Sequence, residues 1–408
     1  MAMDNDNSDY GFLLENLMDN TSDAIYFKDI ESRFIMVNEA CAEKHGWESL
    51  DSNIGKTDFD IFAKEHAEQA YADEQHIIKT GTPLFGIEEK ETWPDGQVTW
   101  VSTTKMPMRN EAGEVIGTFG ISRDITQKKA AEDRARRYAD QMRAIKEEME
   151  EEVRMAGELQ KSFFRATYPA FPAAAAPDER CVDFLHRYNL NQQVSGDYCA
   201  IMRLSGTEAG IFLCDVSGLG VRAALGTALV RGIMQEIAAL GLDPGAYLQK
   251  MNERLFPLLN QEGSQLSASA CYLVLDATTG KIRLASAGHP LPIRFCKKGA
   301  AQWLFEDLAL RGPALAVQAD AAYASIDCEI DPGDAVLLFT DGLFSVCNAT
   351  GDRFGKKRLL DSAHSFTGEP LEDIFDGLES DALAFSSEGR FSDDVCMVGF
   401  ELRQLLPQ

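Results

Sequence analysis

The sequence predicts a multidomain α+β protein in which two blocks of short strands and helices flank a long helical connector. Three observations carry this. The chain has 408 residues, enough for two or three domains of ordinary size. Its 45% apolar and 25% charged residues are the composition of a globular protein, not of a disordered one. Finally, no proline falls between Met108 and Tyr168, and within that window residues 128–165 hold ten basic and nine acidic side chains among 38.

The first block, residues 10–127, follows a flexible tail at 1–9. Short strands at 24–27 and 34–37 surround a turn at 29–33. Helices at 39–47 and 62–79 come next, the second with apolar positions at Ala67, Ala70, Tyr71, Ile77 and Ile78. Strands at 84–92, 98–106 and 115–122 are separated by Pro94-Asp95-Gly96-Gln97 and Asn110-Glu111-Ala112-Gly113, both rich in turn formers. The order β-β-α-α-β-β-β, feeding a long helix, suits a sensor.

The connector, residues 128–165, is built from good helix formers, with Gly157 the interruption. Tyr138, Met142, Ile145, Met149, Ala156, Leu159 and Phe163 repeat at alternating spacings of four and three, Glu152 being the charged misfit. Such a seam predicts a coiled coil between two chains, hence a homodimer through residues 138–163. A single amphipathic helix lying on its own domain is the other reading. Prolines after Phe164 end the helix.

The second block, residues 166–403, alternates apolar strands with helices. Strands are expected at 210–216, 269–276, 281–286, 335–339 and 395–401, and helices at 221–240 and 244–259. Aspartates recur at the ends of these strands: Asp197, Asp215, Asp341, Asp393 and Asp394. Carboxylate oxygens are what hard divalent cations such as Mg²⁺ and Mn²⁺ take as ligands. Asp-Gly is also ordinary turn chemistry, so strand-end aspartates alone leave both readings open.

Charge excludes two function classes. The formal charge is −26, from 65 acidic and 39 basic residues. A nucleic-acid binder needs a basic footprint, and an anionic membrane surface repels such a chain. No apolar run approaches the ~20 residues of a membrane span. The opening MAMDNDNSDY has no basic region followed by an apolar core, and nine scattered cysteines form no CxxC pair. A cytoplasmic protein is expected.

DAIYFKDIESRFIMVNEACAEKHGW and ETWPDGQVTWVSTTKMPMRNEAGEVIGTFGISRDIT resemble a PAS domain over essentially the whole first block. Asp124-Ile125-Thr126 matches that family's closing motif, where the last strand passes its signal to an output helix. The resemblance implies a PAS fold, a five-stranded antiparallel sheet with helices. It leaves the ligand unknown, since PAS pockets hold haem, flavin, small acids or nothing. His45, His66 and His76 are the block's histidines, more simply read as ordinary helical side chains than as haem ligands, and Cys41 reads as core packing.

VSGDY, CDVSGLG, SAGHPLPI, DPGDAVLLFTDGL and FSDDV, preceded by GELQKSFF, resemble in order and spacing the motifs of PPM-type metal-dependent protein serine/threonine phosphatases of the SpoIIE-like bacterial branch. That resemblance implies an α/β/β/α sandwich and two divalent ions, Mn²⁺ or Mg²⁺. By it, Asp215 bridges the ions, the Val216 carbonyl completes one site, Asp341 and Asp393 hold the other ion, and Asp197 acts at the second, directly or through water. Asp215 and Asp341 are then the catalytic residues, and Asp394 is a neighbour. Two such ions activate a water for in-line attack at phosphorus. With the PAS block, the resemblance extends to phosphatases of partner-switching pathways, whose substrate is a phosphorylated small regulatory protein, an anti-sigma-factor antagonist.

Three positions depart from the family pattern. Leu219 replaces a usual polar or basic residue and cannot protonate a leaving alkoxide. Ser345 stands for a usual glutamate, and Cys396 for a usual threonine. His289, in a Gly-His-Pro turn, reads as structural, while Arg222 and Arg231 stay outside the expected site. Leu219 keeps a second function open, a pseudo-phosphatase acting as a signal-dependent binding module. A phosphoesterase for small molecules is the third.

Overall fold

The computed structural model describes all residues except 1–6, 94, 165–167, 192, 262–263, 306–310 and 408. Most of the expected tail, Pro94 of the first turn and the connector's last residue, Arg165, lie outside them. Asn7, Ser8 and Asp9, expected in the tail, instead open helix α1 (Asn7–Asn20). The chain divides into two compact units at Ile145/Lys146.

The first unit holds strands β1 (Ala24–Asp29) and β2 (Phe34–Val37), then helices α2 (Glu39–His45) and α3 (Lys64–Thr80). Strands β3 (Leu84–Thr92), β4 (Val98–Arg109) and β5 (Val115–Asp124) complete an antiparallel sheet ordered β2-β1-β5-β4-β3. Asn38 starts α2, its Oδ1 accepting from Cys41 N–H at 3.0 Å, and Gly46 in the left-handed region ends it. Cys41 is core packing, as expected, buried with Ala24, Phe34 and Val37. On α3 the buried face is Ala67, Ala70, Glu74 and Ile77, whereas Tyr71 is exposed. Helical spacing of three and four selects a glutamate where the apolar pattern suggested tyrosine.

Helix α4 (Thr126–Lys161) begins where Thr126 N–H donates to Asp124 Oδ1 at 2.7 Å. Its seam residues Tyr138, Met142, Ile145, Met149 and Leu159 are exposed by 68, 64, 50, 61 and 65%. Phe163 differs: it packs on the core of the second unit, under the guanidinium of Arg231 at 4.4 Å from the ring centroid. The unpartnered seam therefore stops at Leu159.

The second unit is two sheets face to face with helices on both outer sides. Its elements are β6 (Val182–Asn189), β7 (Asp197–Arg203), β8 (Glu208–Val216), α5 (Val221–Ala238) and α6 (Pro244–Leu259). A short pair, β9 (Asn260–Gln261) and β10 (Ser264–Gln265), leads to β11 (Ala268–Asp276), β12 (Lys281–Ala287), β13 (Ile293–Phe295) and β14 (Ala301–Trp303). The remainder is β15 (Arg311–Gly312), β16 (Ile326–Glu329), β17 (Ala335–Phe339), α7 (Gly342–Ser345), α8 (Gly355–Ser365), α9 (Leu371–Phe385) and β18 (Val395–Leu402).

One sheet runs β15-β12-β11-β8-β7, with β16 also on β12, and the other β14-β13-β17-β18-β6. Alternation sorts each central strand onto two cores. Ile211 and Leu213 of β8 face Val336, Leu338, Val398 and Phe400 between the sheets. Phe212, Cys214 and Val216 turn to α5 and α6, while Leu337, Phe339 and Met397 turn to α8 and α9. Burial on both faces is why these strands read as unbroken apolar runs. The α/β/β/α sandwich and the PAS-type sheet agree with expectation. Among the described residues no helix is long and apolar enough to cross a membrane.

Candidate active site

Four strand ends deliver the carboxylates to one place. β7 opens on Asp197 and β8 closes on Asp215-Val216, and their antiparallel register sets Asp197 opposite Asp215. In the other sheet β17 ends at Phe339, opposite Met397 of β18, so Asp341 and the 392–394 segment share one end. Asp197, Asp215, Asp341, Asp393, Asp394 and Leu219 all line a cavity of ≈ 220 Å³. Two glycines permit this closeness. A Cβ on Gly196 would collide with the Val216 carbonyl oxygen, and one on Gly342 with that of Asp394.

The cavity is electrostatically strained. Burial, and then the charge of Asp215, pushes the Asp197 carboxyl well above its ordinary range. Burial, reinforced by Asp341, Asp393 and Asp394, raises Asp215 to about 7. Asp341 is raised by burial and by Asp393, with Arg353 and Lys356 opposing. Among the described residues no histidine, lysine or arginine lines the cavity. Carboxylates gathered like this, with oxygen as the sole charged donor, suit a hard divalent cation. The side chains converge on the cavity without closing on one point: among the described residues no three acidic, His or Cys groups stand ready to hold a metal ion.

Val216 does not line the cavity; its side chain is in the core under α5 and its carbonyl oxygen lies against Gly196. Asp394 is engaged locally: its Oδ1 accepts the Asn191 N–H at 2.7 Å and its own N–H donates to Asp393 Oδ1 at 2.8 Å. Leu219 is 72% exposed at the rim. Cys396 is wholly buried between the sheets, so its departure from the family pattern is a matter of core packing. Ser345 closes α7 with its hydroxyl donating to the Gly342 carbonyl at 3.3 Å. His289 is buried and does not line the cavity; its Nδ1 is 2.8 Å from Oγ of Ser269, the residue opposite Asp215 on β11. Arg222 and Arg231 do not line the cavity either.

Three residues at the site were not anticipated. Thr340 is fully buried, its hydroxyl donating to Asp197 Oδ2 at 2.8 Å and accepting the Cys396 N–H at 2.9 Å. A hydroxyl that ends a buried strand has to find such partners, which is the signal that could have marked it. Asn191 holds the 392–394 segment, through Asp394 and through Nδ2 donating to the Ser392 carbonyl at 3.0 Å. Gln160 of α4, 5% exposed, pairs both ways with Ser195: Nε2 donates to its carbonyl at 2.7 Å, and Oε1 accepts its N–H at 2.9 Å. Ser195 Oγ in turn accepts the Asp197 N–H at 2.9 Å.

Residues 205–403 match the Stage II sporulation protein E (SpoIIE) family, and residues 18–130 match the PAS fold. The chain joins a PAS domain to a SpoIIE-type phosphatase domain. Such a domain is of the protein phosphatase class, a hydrolase. Phosphoserine phosphatase RsbU of Bacillus subtilis is 23% identical over 240 residues, 58% of this chain and 67% of that one. Phosphoserine phosphatase RsbP of the same organism is 24% identical over 212 residues, 52% of this chain and 50% of its own. The matches thus span about two thirds and one half of these relatives. In fold, the SiaA-PP2C domain of Pseudomonas aeruginosa superposes with a TM-score of 0.51 at 20% identity, covering 63% of this chain and 98% of that domain.

Proposed function

We propose that the chain is a PAS-regulated, cytoplasmic protein serine/threonine phosphatase. Its substrate would be phosphoserine or phosphothreonine on a small regulatory protein of the anti-sigma-factor-antagonist type. The observation that supports this most is the convergence of Asp197, Asp215, Asp341 and Asp393 on one cavity. An all-acidic cavity repels a phosphate dianion, so phosphoryl binding there requires cations. Asp215, Asp341, Asp393 and Asp197 would hold two of them, Mn²⁺ or Mg²⁺, with the Val216 carbonyl as a further donor. When bound, such ions activate a water and neutralise phosphoryl charge.

The chain's own residues then position and exclude. Thr340 fixes one oxygen of Asp197, leaving the other available. Asn191 engages one oxygen of Asp394 and ties the 392–394 segment to the end of β6, and Asp394 is kept as a neighbour of the proposed ligands. Leu219 holds no proton to give, so the departing alkoxide takes its proton from solvent at the open rim. The same leucine favours the second reading, a pseudo-phosphatase that only binds its partner.

Mn²⁺-dependent dephosphorylation of a phosphoserine protein by the full chain decides between them. We expect turnover with Mn²⁺ that EDTA abolishes. No turnover, with the substrate protein still bound, would establish the pseudo-enzyme.

The exposed stripe from Tyr138 to Leu159 supports a homodimer, since five large apolar side chains on one helical seam otherwise face water. Ile145→Lys with Met149→Lys should halve the mass in light scattering. A dimeric mass in that variant would place the interface elsewhere.

A further inference from the structure

A second charged cavity lies in the PAS domain, ≈ 40 Å³ in volume and walled by α3 and the sheet. One water-sized sphere needs ~10–15 Å³ by the same measure, so there is room for a molecule of a few heavy atoms and none for a haem or flavin ring. Its wall is ionic. Lys28 is buried between Asp58 and Glu74, with Nζ 2.6 Å from Glu74 Oε1. Lys105 stands 2.9 Å from Glu89 and 3.2 Å from Asp73, and Lys44 stands 2.8 Å from Glu91. Three lysines therefore line the cavity against the four carboxylates Asp58, Glu74, Glu89 and Glu91. Burial lowers the pKa of His45, which also lines it, so that ring adds no positive charge at neutral pH.

The unmet demand is for a donor. Glu74 is 1% exposed, and its Oε2 has no hydrogen-bond partner. Burying such an acceptor unsatisfied leaves its desolvation penalty uncompensated, the more so when it is charged. The aromatic part of the wall, Tyr26, Phe34 and Phe62, is itself suited to cations: the Lys28 ammonium already lies 4.4 Å from the Phe34 centroid.

We propose that this cavity binds a small organic monocation carrying N–H donors, an amine or an amidine, through Glu74 and the aromatic wall of Tyr26, Phe34 and Phe62. Burial raises the Glu74 carboxyl, with the Lys28 charge opposing, so a bound cation is what would hold it ionised; one positive charge then balances the lining, and one N–H satisfies Oε2. An anion would meet a wall in negative excess and three lysines already paired. A neutral polyol would leave the excess in place.

The test is direct binding to the full chain, independent of phosphatase activity. Methylammonium, ethanolammonium and acetamidinium chlorides are titrated at constant ionic strength, with sodium acetate and glycerol as the anionic and neutral probes. Tryptophan fluorescence reports it, because Trp47, Trp93 and Trp100, three of the four tryptophans, belong to this domain and Trp47 packs on Phe34. A saturable change with at least one of the three cations is expected. It should weaken tenfold or more in Glu74→Gln and stay unchanged in Glu43→Gln, at an exposed position. If thermal unfolding shows that Glu74→Gln is not folded, Glu89→Gln makes the same comparison. No saturation by any of the cations in folded wild type overturns the proposal. So does saturation by acetate or glycerol alone, or an unweakened affinity in the variant.

Discussion

Asp215→Asn should abolish phosphatase activity while making the second unit harder to unfold in EDTA. Burial disfavours the Asp215 charge most, and repulsion from Asp341, Asp393 and Asp394 adds to it. Removing its charge without changing its shape relieves the other carboxylates and opens no cavity. A gain of about 1–2 kcal/mol, or roughly 3–6 °C in the unfolding midpoint, follows. Activity should fall ~1000-fold or more, because the bridging carboxylate is the one the proposed cations share. Mn²⁺ should then reverse the order: ligation stabilises wild type by mass action and has little to hold in the variant. Thermal unfolding in EDTA and in Mn²⁺, beside turnover, reads all three effects. A variant less stable than wild type in EDTA would make Asp215 a structural residue, and the charge-cluster account would fail.

That opposition between stability and function explains which parts of the site were visible in the sequence. Asp215 and Asp341 each follow an apolar strand and precede a turn, so local pattern alone exposes them as charge at the edge of a core. Their partners are not local. Thr340 reaches Asp197 across 143 positions, and Asn191 reaches Asp394 across 203. The first pair exists only once the two sheets have stacked and the second only once β6 has paired with β18, and no periodicity within either segment encodes them.

The fold divides the same way. Strands β8, β11 and β17 were legible because both their faces are buried, which forces continuous apolar runs. Helix α1 was not: Tyr10, Phe12, Leu13, Leu14 and Leu17 are all exposed, and among the described residues Met18 alone is buried, too little to impose a pattern on it. The buried charges of the PAS cavity were equally hidden, since Glu74 looks like any glutamate of a solvated helix until α3 is turned onto the sheet.

Gln160→Leu should raise the Mn²⁺ concentration for half-maximal activity about tenfold, with turnover at saturating Mn²⁺ much less affected. The side chain touches no proposed ligand. It holds both polar groups of the Ser195 backbone, and the Ser195 hydroxyl holds the N–H of Asp197. Leucine of similar size leaves those two backbone groups buried and unpaired, roughly 1–3 kcal/mol against the arrangement that aims Asp197. Losses of outer partners of metal ligands commonly cost 10–100-fold in metal affinity, which sets the expected magnitude. Thr227→Val is the informative comparison. Gln160 Nε2 also donates to Thr227 Oγ1 at 2.9 Å, so this change cuts the tie to α5 and spares Ser195. If Gln160 served only to pack α4, both variants would lower the unfolding midpoint and neither would move the Mn²⁺ dependence. A shift confined to Gln160→Leu would make α4, which carries the proposed dimer seam, the element whose displacement reaches Asp197. A hydrogen bond of 2.7 Å does not survive a shift of about 1 Å, so small movements of that helix would suffice.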